Sequence, residues 1–313
     1  MKIKIFYKTI IFFLIILLCF SCIFDTHVIS YNINNEHNNI KFANSKGKCA
    51  LLISGDGYGG TLKNHAHVFK NDLNHSENLL KNYGYIIKRI DDTTKSELKS
   101  AITEWIPDNV GDEKTVIIYL IGHTSKLTNE GPFRFHLKLG VKVRAFEIGE
   151  WIDEMERNIG IKAKSVKSSS SSSDYLLTII IDSCFSGGYI DELSDKNRII
   201  LTSADEQSTA GDELNSPSGR GYFSKPFFDA FFEDSDEDGL LDADYNNDNK
   251  VSIGEAWMKA ERNNKVQNNG GQNPQFEDNG NGYSVGTSYQ TDILPINDDY
   301  TSEGETLDGE LAL

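Results

Sequence analysis

Positive charge is scarce in this chain: 31 lysines and arginines face 47 aspartates and glutamates over 313 residues, a formal charge of −16. Phosphate backbones are bound by clustered Lys and Arg, so this balance argues against a nucleic-acid partner. Long hydrophobic runs are lacking too. The longest, Ile10 to Phe20, has 11 residues, against about 20 needed to span a bilayer. Cysteine is limited to four residues. Beyond the first 22 residues there is no C-x-x-C or H-E-x-x-H pair to hold zinc, and no G-x-S-x-G elbow to present a nucleophilic serine. A hydrophobic fraction of 38% still provides for a packed core, which excludes disorder throughout.

What is present begins with a leader. Lys2, Lys4 and Lys8 precede the apolar run, which ends in Ser21-Cys22. A basic n-region before a short h-region reads residues 1–22 as a signal peptide or a lipoprotein signal. The expectation is an exported protein, secreted or held at the cell surface, with Cys22 a candidate lipid anchor although Cys19 and Phe20 suit that cleavage poorly. Export takes the charge to about −19 and leaves two cysteines, Cys49 and Cys184. An oxidising compartment makes their disulfide the first possibility to test. It fails on geometry: Cys49 opens one strand and Cys184 follows another, so parallel strands hold them roughly 20 Å apart, far beyond a bridge.

Residues 23–46 are Asn-rich and polar, the composition of a linker. The main domain is expected over 47–264, with an Asn/Gly-rich acidic tail over 265–313 and a flexible linker at Ser168–Ser173 inside the domain. Within it, Lys48–Ser54, Val116–Ile121, Leu176–Ile181 and Arg198–Thr202 are short apolar runs that read as buried strands. Tyr85–Ile90 reads as extended, 133–143 as a hairpin, and 64–83 and 222–232 as helices. Thr94 and Glu97 have capping-box spacing before Leu98, Ala101, Ile102, Trp105 and Ile106, with Pro107 expected to close that helix. Ile148, Trp151, Ile152 and Met155 share one face of another. Continuous apolar strands alternating with amphipathic helices predict an α/β domain with a mostly parallel sheet.

Functional groups in such a fold gather beyond the carboxyl ends of the strands. Gly122-His123 follows one strand and Asp182-Ser183-Cys184 another. Strands about 4.8 Å apart bring such groups within reach of one proton transfer, so a Cys/His dyad is expected: Cys184 attacks a carbonyl to form an acyl-enzyme, His123 moves the proton, and Gly187 and Gly188 let backbone N–H groups approach the oxyanion.

The segments YLIGH (Tyr119–His123), IDSCFSGG (Ile181–Gly188) and RIILTSADEQ (Arg198–Gln207) resemble the caspase-like clan of cysteine peptidases, with most likeness to its legumain-type and metacaspase-like members. The resemblance covers roughly residues 47–264. It implies a three-layer sandwich with helices on both faces of the sheet, a protein or peptide substrate and no organic cofactor. It also implies His123 as general acid/base, Cys184 as nucleophile and the Cys184 N–H in the oxyanion hole. The family usually has glycine after the catalytic histidine, where this chain has Thr124. A β-branched residue there leaves open a catalytically inactive, calcium-binding interaction module. Gly122 and Thr124 are the oxyanion candidates on that loop. Thr202, Ser203, Asp205 and Gln207 are candidate pocket walls, with Asp205 expected to favour a basic side chain before the scissile bond.

An acidic excursion, 234–255, reads as a Ca²⁺ site. Asp234, Asp236, Asp238 and Asp242 with Gly239 form D-x-D-x-D-G-x-x-D, and Asp244, Asn246, Asp248, Ser252 and Glu255 occupy positions 1, 3, 5, 9 and 12 of an EF-hand-like loop. Carboxylates on alternate residues converge on one cation. Asn249 stands at the usual glycine position, and Asn tolerates the left-handed region. At least one structural Ca²⁺ is expected.

Overall fold

The apolar runs form strands and the amphipathic stretches helices, in the order β1 (Cys49–Ser54), α1 (Ala66–Asn82), β2 (Ile86–Ile90), α2 (Lys95–Ser100), α3 (Ile106–Asn109), β3 (Thr115–Ile121), β4 (Thr124–Thr128), β5 (Gly131–His136), β6 (Lys142–Arg144), α4 (Ala145–Asn158), β7 (Leu176–Asp182), α5 (Ile190–Leu193), β8 (Arg198–Thr202), α6 (Ser224–Asp229), α7 (Ile253–Gln267) and β9 (Gln275–Glu277). The computed structural model describes residues 46–56, 64–112, 114–128, 131–160, 176–195, 198–235, 239, 241–246, 249–267 and 271–278. The leader, the linker up to residue 45, the serine run and the tail beyond 278 lie outside these residues.

A six-stranded sheet runs β2-β1-β3-β7-β8-β9, parallel except for β9, which pairs antiparallel with β8. Alternate residues of each strand face opposite sides. Leu51, Ile53, Ile118, Leu120, Ile179 and Ile181 pack against α2, α4 and α5 on one side. Ala50, Leu52, Ile117, Tyr119, Ile180 and Leu201 pack against α1, α6 and α7 on the other. Each such buried Leu or Ile contributes about 1.5–3 kcal/mol. Both faces need cover, which is why the strands read as continuous apolar runs. The architecture is the expected α/β sandwich with helices on both faces, and among the described residues no helix is long and apolar enough to cross a membrane.

Three local readings need adjustment. The predicted hairpin is a small antiparallel sheet, β4-β5-β6, that begins directly after His123. The helix predicted over 222–232 is confined to Ser224–Asp229. Pro107 does not close its helix: a π-turn over Ala101–Trp105 precedes it, and the chain stays helical to Asn109. Proline cannot donate to the Thr103 carbonyl one turn back, and Asn158 Nδ2 donates there instead (3.0 Å). The Thr94–Glu97 capping box forms as its spacing predicts. The sheet reaches into the stretch whose composition reads as tail, where Phe276 on β9 is buried.

Candidate active site

The pairing of β3 with β7 sets Ile121 opposite Asp182, so the two loops that leave these strands start side by side. One carries His123, the other Cys184. After Cys184 the chain turns sharply: Phe185 takes a left-handed conformation (φ 58°), which costs a non-glycine residue about 1–2 kcal/mol. Its N–H donates to the Ser208 carbonyl (2.8 Å), and Lys126 Nζ lies 4.7 Å from its ring centre. Gly187 and Gly188 follow, and their N–H groups donate to the Ala204 and Phe185 carbonyls. They are therefore not free for an oxyanion, contrary to the sequence expectation. Their small size serves packing, since a Cβ on Gly188 would stand 2.1 Å from the Phe133 ring.

Cys184 and His123 line one cavity of about 260 Å³, together with His65, Phe69, Asp182 and Asp212. The His123 ring meets Phe69 at a tilted edge-to-face angle, 5.4 Å between centres, and His65 edge-on at 5.3 Å. His65 Nδ1 is 2.6 Å from Asp212 Oδ2. His123 Nε2 is buried with no hydrogen-bond partner among the described residues. The Cys184 thiol points to the Ala210 carbonyl (3.9 Å). Among the described residues the two cysteines, Cys49 and Cys184, are free.

Electrostatics keep the resting pair uncharged. Burial, then the neighbouring His65 and His136, lowers His123 to about 4, with Asp212 and Asp56 pulling the other way. Burial raises the Cys184 thiol, and Asp182 and Asp212 add to that. Both shifts favour the uncharged thiol and the uncharged imidazole. A consequence follows for the pH profile. Protonated His123 cannot accept the thiol proton, and its burial defers protonation from about 6.5 to about 4. The acid limb of kcat/KM is expected near pH 4; a limb at 6.5 would mean that His123 is hydrated in the working enzyme.

Thr124 sits within β4, where a β-branched residue is favoured. The bond from His136 N–H to the His123 carbonyl (2.8 Å) makes Thr124 and Phe135 a non-hydrogen-bonded antiparallel pair, so the Thr124 N–H points away from β5. Its hydroxyl lies 2.8 Å from Ser183 Oγ and 3.1 Å from Tyr189 Oη, tying the histidine loop to the cysteine loop. Gly122 N–H, by contrast, donates to the Asp182 carbonyl (3.1 Å).

The proposed pocket walls lie elsewhere. Ser203 is buried and accepts from the Ser183 N–H (3.0 Å). Thr202 donates to the Ala204 carbonyl (2.9 Å). Asp205 accepts from the N–H groups of Gln207 and Ser208 and from Asn273 Nδ2 (2.8 Å), and Gln207 Oε1 accepts from Lys126. Asp205 orders its own loop, and none of these four residues lines the cavity. The carboxylates that do are Asp182 and Asp212. Asp182 stands in the motif two residues before Cys184, where its alternation with the thiol was the available signal. His65 and Asp212, 147 residues apart, carried none.

In the acidic excursion, Asp236, Asp238 and Asp248 lie outside the described residues. Asp234 Oδ2 accepts from Gly239 N–H (2.9 Å) and Asp244 Oδ2 from Asn249 N–H (2.8 Å), and Gly239 and Asn249 both have positive φ. Asp242 accepts from Ser235 N–H (2.9 Å). Glu255 accepts from the N–H groups of Tyr245, Asn246 and Ser252, and from the Ser252 hydroxyl. First and sixth positions of each loop are thus joined by one turn geometry, and the twelfth-position Glu closes the second loop.

A family model described as the caspase domain matches residues 47–281 of the chain. Among solved structures, caspase-1 from Spodoptera frugiperda aligns over 71% of this chain and 77% of that one, at 9% identity and a TM-score of 0.46. No curated protein matches.

Proposed function

This chain belongs to the caspase-domain family, and on that premise we propose that it is an exported cysteine endopeptidase of the legumain-type or metacaspase-like kind. One observation carries the reading: Cys184 and His123, from adjacent strand ends, line a single cavity. The Cys184 sulfur attacks the scissile carbonyl while its proton passes to His123. The oxyanion forms against the N–H groups of Thr124 and Cys184. Collapse breaks the C–N bond, the leaving amine takes the proton from His123, and water then hydrolyses the acyl-enzyme with His123 as base. Asp182 and Asp212 on the cavity wall support a basic residue, Arg or Lys, before the scissile bond. Hydrolysis of fluorogenic peptides ending in Arg, Lys, Asn or Asp tests the reading, and cleavage that is equal for basic and neutral peptides removes the specificity.

The leader supports export, with release as a secreted protein or retention through Cys22. The two acidic loops support one structural Ca²⁺ that fastens residues 234–255 to the domain. A Kd of about 10⁻⁴–10⁻³ M is expected, as for extracellular calcium modules, with a higher unfolding temperature in calcium than in chelator. Calorimetry that registers no binding at about 5 mM Ca²⁺ removes the ion from this account.

A further inference from the structure

The outer face of β4-β5-β6 gathers positive charge in a chain whose formal charge is −16. Phe133, Phe135 and Val143 take the buried side of this sheet, so strand alternation turns Arg134, His136, Lys142 and Arg144 to the other. The register sets Arg134 directly across from Arg144, and His136 across from Lys142. Like charges placed opposite one another destabilise a sheet. Burial, then Lys142, lowers the pKa of His136. Lys142 Nζ donates to the Ser125 hydroxyl (3.3 Å), Arg144 lies over the Phe146 ring (5.5 Å to its centre), and Arg134 Nε has no hydrogen-bond partner among the described residues. The nearby carboxylates are engaged elsewhere, Glu147 by Lys95 (2.5 Å) and Asp92 by Lys138 (3.6 Å). Apolar side chains border the charges. Leu139, at the β5–β6 turn, is 89% exposed in a left-handed conformation (φ 59°), close to the exposed Val141. A strained backbone that holds a leucine in water points to a contact that covers it.

What complements this face stands in the same chain. Residues 279–313 contain Asp292, Asp298, Asp299, Glu303, Glu305, Asp308 and Glu310, the apolar run Ile293-Leu294-Pro295-Ile296, and neither lysine nor arginine. β9 runs antiparallel to β8, so the chain leaves the sheet at the end opposite His123, three strand spacings from β3. Those spacings come to about 15 Å and the strand length to about 20 Å, whereas residues 279–291, when extended, span up to about 45 Å.

We propose that segment 279–313 docks on the outer face of β4-β5-β6, its carboxylates neutralising Arg134, Lys142 and Arg144 and its apolar run covering Leu139 and Val141. An encounter within one chain is favoured over capture of a free anion, and a chain at −16 is repelled as a whole by an anionic membrane. The contact is independent of peptidase activity.

Carbodiimide treatment of the full-length protein at about 20 mM NaCl joins lysine amines to the carboxylates they touch, and mass spectrometry locates the links. Links from Lys142 to residues 292–310 are expected in protein of monomer mass, with the Lys95–Glu147 link as internal control. Relative to that control, the Lys142 yield should fall about fivefold or more in the double variant Arg134→Glu, Arg144→Glu, and likewise for wild type in about 0.5 M NaCl. Thermal unfolding checks that the variant folds, and if it does not, the salt series decides alone. A control link with none from Lys142 to the segment overturns the proposal, as does a yield indifferent to salt. Links confined to dimer mass assign the face to a second copy and overturn it too. Wild-type binding to vesicles of phosphatidylglycerol and phosphatidylcholine, with no Lys142 link to the segment, overturns it in favour of a lipid surface.

Discussion

Cys184→Ala is expected to lower kcat/KM toward basic peptides by on the order of 10⁶, to the level left by binding and oxyanion contacts alone. The magnitude follows from the site. In the proposed mechanism, attack, proton transfer and acyl-enzyme formation all pass through one sulfur, and among the described residues no serine or second cysteine lines the cavity to replace it. The other free cysteine among the described residues, Cys49, is buried at the opposite end of its strand, with its thiol pushed up to about 12. His123→Ala should act as part of the same unit, so the double variant loses little beyond either single one. Steady-state assays of the three variants, with near-wild-type unfolding curves, check the assignment. Residual hydrolysis above about one hundredth of wild type in Cys184→Ala would place the nucleophile elsewhere.

Arg198→Ala should destabilise the domain by about 3–5 kcal/mol. Arg198 opens β8 and is 2% exposed. Its Nε and Nη2 grip both carboxylate oxygens of Glu156 (2.8 and 2.6 Å), Nη2 also reaches Asp153 (2.6 Å), and Nη1 donates to the Leu193 carbonyl (2.7 Å). Truncation takes the guanidinium away from the carboxylate of Glu156, itself 1% exposed, and leaves that buried charge poorly compensated. The double substitution Arg198→Met with Glu156→Leu removes both charges and should recover most of the loss, because the pair's attraction is offset by its desolvation. Urea unfolding distinguishes the two cases. An Arg198→Ala midpoint within about 0.5 kcal/mol of wild type would mean that water reaches Glu156 in solution.

Thr124 shows how a local departure from a pattern changes meaning in three dimensions. Read in isolation, a β-branched residue after the histidine restricts the backbone of a catalytic loop. In the fold the position belongs to an edge strand, its N–H faces away from the ladder, and its hydroxyl joins Ser183 and Tyr189. Asp205, read from the sequence as a pocket wall, lies off the described cavity for a related reason. A carboxylate after a strand looks like a pocket wall, but this one is turned into hydrogen bonds with its own loop and Asn273.

Sequence alone determined the five parallel strands and the longer helices, because strands buried on both faces must be continuously apolar and helices must carry an apolar stripe, but not β9 or the short helices α3 and α5. It also placed His123 and Cys184 just beyond strand ends, where a parallel sheet collects its chemistry. The tertiary structure decided which strands are neighbours, and with that the company of the two residues. His65, Asp182, Asp212 and Gly221 come from three separate segments and meet only once β3 lies beside β7 and the chain from Ala210 to Gly221 folds back beside them. It also made Arg198, the charged first residue of an apolar run, the centre of a buried ion pair. Periodicity reports what each residue faces within its own element, whereas side-chain direction and long-range pairing depend on the packing of all of them together.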